Sequence, residues 1–418
     1  MNILKDTFRK KKIFFVFFIL LTSFAFAQHK TKIEIGTIDS ISSKVLNENR
    51  KIWVHLPKSA QNNGFAKQKY PVVYVLDGDG HFSSVVGIIE EMSEVNGNTN
   101  CPEMIVVGIT NTNRNRDLTP THSDVDPPFV PKGLSDQSGG GEKFAEFLEK
   151  ELIPYIDNKY PAASYRTLIG HSFGGLTAIN ILTNHTNLFN SYIAIDPSMW
   201  WDHQKFIAET EKKLTNKNLA NVSLFMAGAN TMNDDMDVVK VRKDTAVFTR
   251  HIRSILDLND FFAKDKKSNL NYDYKYYNDY NHGSVPLIAT YDGLRFIFKF
   301  NQLKLSISEQ INFNKAVFTK IEKHYDDVSK HLGYKVAVPE NTINVYAYQS
   351  LSKKDMDLAG YLFKLNVANY PQSPNVYDSL GDFYEANGDN KNAIASYEKT
   401  LILDKNFPET KGKLEKLK

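Results

Sequence analysis

The sequence predicts an α/β fold in which a mostly parallel sheet is flanked by helices and followed by a small all-α C-terminal repeat module. Two observations predict this fold. Apolar runs typical of buried strands alternate with helix patterns from about residue 70 to residue 277, as in parallel sheets covered on both faces. Beyond Phe300 the strand patterns stop, and small and aromatic residues recur at a spacing of 34 residues.

The N-terminus has the pattern of a secretory signal peptide. A basic cluster ends at Lys12, an apolar run fills residues 13–27, and the run closes on an A-x-A pattern that ends at Ala27. The run is short for a membrane span, which needs about 20 apolar residues. We therefore expect cleavage after Ala27 and a secreted or periplasmic protein without a membrane span once the signal is removed.

Charge and cysteine content exclude several classes of protein. Residues 1–27 carry five basic side chains and one acidic side chain, so their removal takes the net charge from +3 to about −1. No basic patch then remains to suggest binding to nucleic acid. Cys101 is the only cysteine, so an internal disulfide cannot form. Stability must come from the large core that a chain of this length can bury.

The predicted elements follow in order along the chain. Residues 31–56 alternate apolar and polar side chains in two runs, which predicts an antiparallel edge hairpin. VVYVL and MIVVGIT are continuous apolar runs, typical of buried central strands, and a helix pattern separates them. Helix patterns then alternate with the predicted strands YRTLIG, SYIAID, VSLFMAG and LNYDYKYYN.

The chain divides into four predicted regions. These are the signal peptide (1–27), the α/β domain (28–305), a helical connector (306–338) and a repeat module (339–418). Six residues of the module fall at the spacing of a tetratricopeptide repeat, namely Leu380, Gly381, Tyr384, Gly388, Ala393 and Tyr397. Because two such repeats are marginal alone, we expect the module to pack on the α/β core or on a protein partner.

The strongest chemical signal is a G-x-S-x-G motif, centred on Ser172, between a predicted strand and a predicted helix. In that context the motif predicts a nucleophile elbow, whose glycines permit the sharp turn that exposes the serine hydroxyl. The helix that follows directs backbone N–H groups at a developing oxyanion, so the N–H of Phe173 is the first predicted donor. His171 is expected to support the turn.

A serine nucleophile needs a base, and His282 is the candidate. It follows the last predicted strand, which is where this architecture carries the base, and Gly283 suits a fixed loop. The loop after VVYVL is where the second oxyanion donor belongs. We assign that role to the N–H of Asp79, with Gly78 as the alternative, and we expect His81 to line the pocket.

The acid of a Ser–His–acid triad is predicted in the loop after VSLFMAG, because the chain order in this architecture is Ser, then acid, then His. Asp234 is the first candidate, Asp237 the second, and Asp235 or no acid at all remain open. A metal at these acidic residues is disfavoured because the glycine turn and terminal Glu of a calcium loop are missing.

Several motifs together resemble one branch of the α/β-hydrolases, which includes esterase D, enterobactin esterases, feruloyl esterases and mycolyltransferases. The motifs are YPVVYVLDGDGHF, NRNRDLTPT, IGHSFGG, DPSMWW and HGSVP, and the resemblance covers roughly residues 31–300. It implies ester hydrolysis or acyl transfer through a serine acyl-enzyme, without a cofactor. It does not fix the substrate, for which an acylated sugar and a siderophore-type ester are the candidates.

The resemblance also implies residues of the substrate pocket. Arg116, with Arg114 as its neighbour, would anchor a carboxylate or a polyhydroxyl group. Trp200, more than Trp201, would stack on a sugar or an aromatic acyl group. Some members work with a Ser–His dyad, so an absent acid stays open. Two alternative functions also stay open: acyl transfer to a sugar or lipid, and a non-catalytic scaffold on a decayed hydrolase.

Overall fold

The structure is a computed structural model that describes residues 32–61, 68–265 and 267–418. Residues 36–418 form one compact unit. The predicted signal peptide lies outside the described residues, so its cleavage stays a prediction. Across the described ranges, no helix combines the length and the apolar character that a membrane crossing requires.

A single sheet of eight strands forms the centre of the α/β part, in the order β1-β2-β4-β3-β5-β6-β7-β8. β2 pairs antiparallel with β1 and β4, and the remaining neighbours pair parallel. This confirms the predicted, mostly parallel sheet with an antiparallel edge hairpin. The strands are β1 Thr37–Ser43, β2 Glu48–His55, β3 Tyr70–Val75, β4 Ile105–Ile109, β5 Ala162–His171, β6 Ser191–Ile195, β7 Ser223–Ala229 and β8 Asn271–Tyr277.

Helices cover both faces of the sheet, and each face has its own apolar cluster. The α-helices of this part are α1 Lys58–Gln61, α2 Gly78–Ser93, α3 Arg114–Asp117, α4 Gly141–Phe147, α5 Ile153–Lys159, α6 Phe173–Asn184, α7 Lys205–Leu214, α8 Arg250–Lys264 and α9 Val285–Ile297. A π-helical segment, Leu148–Leu152, joins α4 to α5. Short 3-10 turns lie at Val95–Gly97, Trp201–Gln204, Val241–Lys243, Val247–Thr249 and Lys299–Asn301.

The parallel strands determine where functional loops can meet. All six residues of β3 are buried, as expected for a strand in the middle of a parallel sheet. β3, β5, β6, β7 and β8 run in the same direction, so the loops at their carboxyl ends lie along one edge of the sheet. In open α/β sheets, that edge carries the ligand site.

The C-terminal part is all-helical, as predicted. Its helices are α10 Ile307–Ile311, α11 Lys315–Leu332, α12 Glu340–Ser352, α13 Met356–Asn369, α14 Pro374–Ala386, α15 Asn390–Leu403 and α16 Thr410–Leu417. α12 packs on α13, and α14 packs on α15. The helices of the module therefore pack as consecutive pairs, which is the arrangement that helical repeats use.

Helix α11 connects the module to the α/β part. Val328 and Leu332, near its end, belong to an apolar cluster of the sheet, whereas Phe318 and Ile321 belong to the cluster of the module. His331 also stacks on Phe300, with ring centroids 4.4 Å apart. The module is thus linked to the α/β core through α11, which packs on both. The domain boundaries, the tetratricopeptide assignment and a protein partner for the module stay predictions.

We expect Gly381→Ala to destabilise the module. A Cβ at Gly381 would lie 2.3 Å from the ring of Tyr397, which is fully buried between α14 and α15 and cannot move aside. Overpacking costs about 1–3 kcal/mol and helix propensity returns up to about 1 kcal/mol, so a net loss of about 1–2 kcal/mol is expected in urea unfolding.

Gly412→Ala in α16 is the matched control, because a Cβ there would meet no atom within 4 Å. That variant should be neutral or up to about 1 kcal/mol more stable. If the Gly381 variant were as stable as this control, the close approach of α14 and α15 would be contradicted.

Candidate active site

Ser172 lies at a strained turn between β5 and α6. Its backbone has φ 59° and ψ −115°, a conformation that non-glycine residues rarely adopt. The turn requires glycine at Gly170, because a Cβ there would lie 2.2 Å from the carbonyl oxygen of Gly174. The end of strand β6 holds the turn, because the N–H of Ser172 donates to the carbonyl of Ile195 at 3.0 Å. The structure thus has the shape that the G-x-S-x-G motif predicts.

The Ser172 hydroxyl lies beside two other polar groups. Its Oγ is 3.2 Å from Oγ of Ser198, in the loop after β6. The ring of His171, the preceding residue, lies 4.4 Å from the ring of His282, centroid to centroid. The structure therefore brings Ser172 and His282 to the same place, although no hydrogen bond joins the two side chains in the described part of the chain.

The loop that carries His282 is held by local hydrogen bonds. Oδ1 of Asn281 accepts from the N–H groups of Gly283 and Ser284, both at 3.0 Å. The carbonyl of Asn281 accepts from the N–H of Val285, which begins α9. These bonds fix the backbone on both sides of His282, while 42% of its side chain stays exposed and able to meet a substrate.

Asp196 is the carboxylate that contacts His282. It directly follows β6, is fully buried, and its Oδ2 lies 2.6 Å from Nδ1 of His282. Its Oδ1 accepts the backbone N–H of Ala229, at the end of β7, at 2.8 Å. Nε2 of His251, in the first turn of α8, lies 2.9 Å from the same Oδ2. Sequence reasoning missed Asp196, His251 and Ser198.

The environment keeps Asp196 ionised. Burial alone raises the pKa of Asp196, but the charge and hydrogen bond of His251, followed by those of His282, outweigh burial and leave the pKa below its usual value. An ionised carboxylate can only accept hydrogen bonds, so Nδ1 of His282 carries the proton in this contact. Nε2 of His282 is thereby left to exchange a proton with Ser172 or a substrate.

The prediction that Asp234 pairs with His282 is wrong. Asp234, Asp235 and Asp237 are all exposed in the loop after β7. Oδ1 of Asp237 accepts the N–H groups of Val239 and Lys240 at 2.8 Å and so closes a local turn. The last residue of β7, Ala229, contributes a backbone N–H to Asp196, and the loop after it contributes no acid to His282. The available sequence signal for Asp196 was an acidic residue directly at the end of the mostly apolar strand SYIAI.

Both predicted oxyanion donors lie in the first turns of adjacent helices. Phe173 begins α6 and Asp79 is the second residue of α2, where backbone N–H groups have no partner within their own helix. The two turns lie close together, since a Cβ at Gly174 would be 3.3 Å from Cβ of Leu76 and 3.5 Å from Oδ2 of Asp77. The geometry suits an oxyanion site near Ser172, and the two assignments stay predictions.

Arg114 lies against the elbow. Its Nε and Nη2 donate to the two carboxylate oxygens of Asp77 at 2.7 and 2.9 Å, and Asn111 donates to the same carboxylate at 2.7 Å. Burial raises the pKa of Asp77, but Arg114 and Asn111 outweigh it and lower the pKa. The guanidinium carbon of Arg114 is also 5.4 Å from the ring centroid of Phe173. This ion pair therefore links the two helix starts that carry the predicted oxyanion donors.

Arg116, the predicted substrate anchor, is used for structure. Its guanidinium binds Glu48 at 2.9 and 3.2 Å and Asp117 at 2.7 Å. Asp117 in turn pairs with the fully buried Arg50 at 2.5 Å. Because these carboxylates accept from Nε and from both terminal nitrogens of the guanidinium, the prediction that Arg116 anchors the substrate is wrong. Of the two arginines in this loop, Arg114 is the one that contacts the Ser172 turn.

Trp200 packs inside the protein, so the expected free aromatic face is also wrong. It is 5% exposed, and its ring lies 5.1 Å from Phe129 and 5.8 Å from Phe173, centroid to centroid. Trp201 is buried as well, and its indole N–H donates to the carbonyl of Thr121 at 2.9 Å. The two tryptophans therefore belong to the buried packing around the ring of Phe173.

His81 and His171 complete a group of histidines around the site. His81 is partly exposed on the first turn of α2, and its ring lies 5.9 Å from that of His171. A pocket role for His81 stays a prediction. Nε2 of His171 is buried and has no hydrogen-bond partner in the described residues. Burial, and then the neighbouring His282, lower the pKa of His171 to about 3.

We expect acid to destabilise the protein partly through His171. Its folded pKa of about 3 lies below the ordinary value of 6.5, so below pH 6.5 the unfolded chain binds the proton more readily. The stability that a neutral His171 provides is complete above pH 6.5 and falls by about 2 kcal/mol between pH 7 and pH 5. In urea unfolding, His171→Gln should lose less stability than wild type over that interval. An identical loss in both proteins would contradict the assignment.

Three ligand atoms of Asp196, His251 and His282 lie within 4.8 Å of one another, which makes this cluster the place where the described residues could hold a metal ion. Oδ2 of Asp196 nevertheless contacts the two imidazole nitrogens at 2.6 and 2.9 Å. Two ligands of one zinc ion stand about 3.3 Å apart at tetrahedral geometry. The distances fit protonated imidazole nitrogens that donate to a carboxylate.

Comparison with known proteins indicates the family of this chain. A family model described as "Putative esterase" matches residues 43–237. The crystal structure of an IroE-like serine hydrolase from Shewanella oneidensis is 30% identical, with a TM-score of 0.65 over 79% of this chain and 98% of that protein.

Two curated relatives are siderophore esterases. The ferri-bacillibactin esterase BesA of Bacillus subtilis is 29% identical over 192 residues, which are 43% of this chain and 66% of BesA. The siderophore enterobactin esterase of Emericella nidulans is 29% identical over 173 residues, 38% of this chain and 57% of that protein. The chain thus spans less than two thirds of the length of either one. The family match, the near-complete coverage of the Shewanella hydrolase and the Ser172 elbow establish that this chain belongs to this esterase family.

Proposed function

We propose that the protein is a serine carboxylic-ester hydrolase that works through an acyl-enzyme. The observation that carries the proposal is the Ser172 elbow beside a histidine whose Nδ1 is 2.6 Å from a buried carboxylate. A nucleophile, a base and a group that orients the base are the minimum set for activating a hydroxyl. Membership of the esterase family supports the same reaction.

The proposed reaction has two halves. Oγ of Ser172 attacks the ester carbonyl while Nε2 of His282 takes its proton, and Asp196 stabilises the imidazolium that forms. The N–H groups of Phe173 and Asp79 would bind the oxyanion, each contributing about 3 kcal/mol. His282 then protonates the leaving alkoxide, and water, activated by the same histidine, releases the acid and regenerates Ser172.

Ser172 has to turn slightly before it reacts. Its Oγ lies 3.2 Å from Oγ of Ser198 in this structure, without a bond to His282. A rotation about the Cα–Cβ bond to another staggered rotamer would exchange Ser198 for His282 as the partner. Catalytic hydrogen bonds often tighten only when substrate is present, so the observed contact is compatible with a resting enzyme.

The substrate that we propose is a siderophore-type ester. Two curated relatives are a ferri-bacillibactin esterase and a siderophore enterobactin esterase. Arg114 beside Phe173 is paired with the carboxylate of Asp77, so its charge does not favour an anionic substrate, and the substrate proposal rests on the two relatives. An acylated sugar is the second substrate class to test.

A hydrolysis panel tests the function. Purified mature protein should hydrolyse a short p-nitrophenyl ester and a catecholate trilactone, and it should react with a fluorophosphonate probe at Ser172. Ser308→Ala, at an exposed serine of α10, should label like wild type, whereas Ser172→Ala should not label. A folded protein that hydrolyses no ester and stays unlabelled would overturn the proposal in favour of a scaffold.

A transferred acyl group, detected in the products when sugar alcohols are added, would indicate an acyltransferase instead.

We further propose that the protein is exported and that the signal peptide is removed after Ala27. The support is the basic cluster followed by the apolar run of residues 13–27. Intact-mass analysis of protein from the periplasm or medium should then give a chain that begins at Gln28. Full-length protein held in the membrane fraction would contradict cleavage.

A further inference from the structure

His251 occupies an unusual place beside the proposed triad. It lies in the first turn of α8 and is 9% exposed, and its Nε2 is 2.9 Å from Oδ2 of Asp196. Nδ1 of His282 contacts that same oxygen at 2.6 Å. The two imidazole rings are almost perpendicular, with centroids 5.3 Å apart. One carboxylate oxygen therefore receives two imidazole donors from two different elements.

The geometry determines which atom of His251 carries a proton. An ionised carboxylate accepts and cannot donate, so Nε2 of His251 must be the donor in this contact. Asp196 is fully buried, and its other oxygen receives one further bond, from the N–H of Ala229. Without His251, a buried charge would rest on one backbone N–H and on His282 itself. The loss of a bond to a buried charged group is costly.

We propose that His251 is a positioning residue that acts through Asp196: it holds the carboxylate in the orientation and the charge state that His282 needs. The proposal rests on the proposed esterase function. His251 is only 9% exposed and donates to the buried Asp196, so it is placed to act on the acid and not on the substrate. Residues that orient a reactive group through a hydrogen bond typically contribute 10-fold to 100-fold to activity.

Because the proposal depends on the charge state of Asp196, it predicts a change in the pH dependence of activity. The groups that face Asp196 are His251 from α8, His282 from the loop after β8, His171 from β5, and the hydroxyls of Tyr274 and Tyr276 from β8. Burial raises the pKa of Asp196, and His251 is the largest of the opposing contributions. Removing His251 should raise that pKa and leave the charge of Asp196 less compensated, so that the carboxylate holds a proton on His282 more firmly and activity is lost at a higher pH.

A matched set of variants tests the proposal. His251→Leu removes the donor and should lower kcat 10-fold to 100-fold with a small change in KM, and the acid limb of the pH profile should move to higher pH. His251→Gln keeps an amide donor of similar reach and should recover most of the activity and the wild-type acid limb. His185→Leu is the control, because His185 also pairs with a carboxylate, Glu142 at 3.2 Å, at the opposite end of α6. It should leave both properties unchanged.

Different outcomes separate positioning from a merely structural role. If His251 only holds α8 against the end of β6, the Leu variant should lose thermal stability while the acid limb of its pH–activity profile stays in place. That result would overturn the proposal. Equal activity losses in the Leu and Gln variants, with an unshifted limb in both, overturn it as well. Should the Leu variant fail to fold, His251→Asn replaces it, because the shorter amide does not reach Asp196.

Failure of the esterase proposal would be recognised separately. Wild-type protein that hydrolyses no ester and takes no fluorophosphonate label refutes that function but leaves the His251 contact to be tested. The far-downfield proton resonance of His282 Nδ1–H reports the bond to Asp196 without any turnover. It should shift in His251→Leu and stay near its wild-type position in His251→Gln. An unchanged resonance in the Leu variant overturns the positioning role.

Discussion

Ser172→Ala is expected to lower kcat for ester hydrolysis by about 10⁶-fold, the largest effect of any single substitution in this protein. The hydroxyl is the only group at the elbow that can form the proposed acyl-enzyme, and no neighbouring side chain can take over its position. Ser198, whose Oγ is 3.2 Å away, lies in the loop after β6 and not at the turn of the G-x-S-x-G motif. Activity is measured with a short p-nitrophenyl ester.

The fold should survive this substitution. Alanine has the same backbone requirement as serine at φ 59°, so the strain of the turn stays and the melting temperature should match that of wild type. The exposed Ser308→Ala variant serves as the control and should keep full activity. If Ser172→Ala kept more than about a hundredth of wild-type kcat, a serine acyl-enzyme would be excluded, because loss of a triad nucleophile has a far larger effect.

Asp196→Asn is expected to lower kcat by about 10⁴-fold. The amide is the same size, but it cannot stabilise the imidazolium that His282 becomes, and its NH₂ group can impose the opposite tautomer on the ring. The amide would also face Nε2 of His251, 2.9 Å from the oxygen that it replaces. We expect KM to change little, since Asp196 is fully buried and does not contact the substrate.

Asp234→Asn and Asp237→Asn are the controls, because the sequence places both in the predicted acid loop while the structure exposes them. Each should stay within about twofold of wild-type kcat, as is usual for surface substitutions away from a site. A large loss in Asp234→Asn with an intact Asp196→Asn would contradict the geometry described above. Equal, small losses in all three variants would indicate a Ser–His dyad.

The acid shows how far reasoning from the sequence could reach. The predicted order Ser, acid, His also describes the chain positions of Ser172, Asp196 and His282, yet the prediction selected the loop after β7 and not the end of β6. Both positions lie at the carboxyl edge of the sheet and both hold acidic residues, so chain order cannot separate them. What separates them is burial: Asp196 is enclosed with two histidines, whereas Asp234 points into solvent.

The two arginines illustrate a similar limit. Arg114 and Arg116 lie two positions apart in NRNRD, so their sequence environments are nearly identical. In the structure Arg114 reaches Asp77 beside the elbow, while Arg116 points to Glu48 and Asp117. Both arginines lie on the one-turn helix α3, and their side chains leave it in different directions. Which arginine lies near the site therefore depends on where the distant residues Asp77 and Glu48 lie after folding.

The sequence by itself determined the sheet, the helices that flank it, the Ser172 turn and the histidine loop. Each of these depends on neighbours in the chain, such as apolar periodicity, the glycines of G-x-S-x-G and the position of a loop after a strand. Only the tertiary structure decided that Asp196 pairs with His282 and that His251 shares its oxygen. Those contacts join residues that are 55 and 86 positions apart, and their partners are chosen by where buried charges find donors in three dimensions.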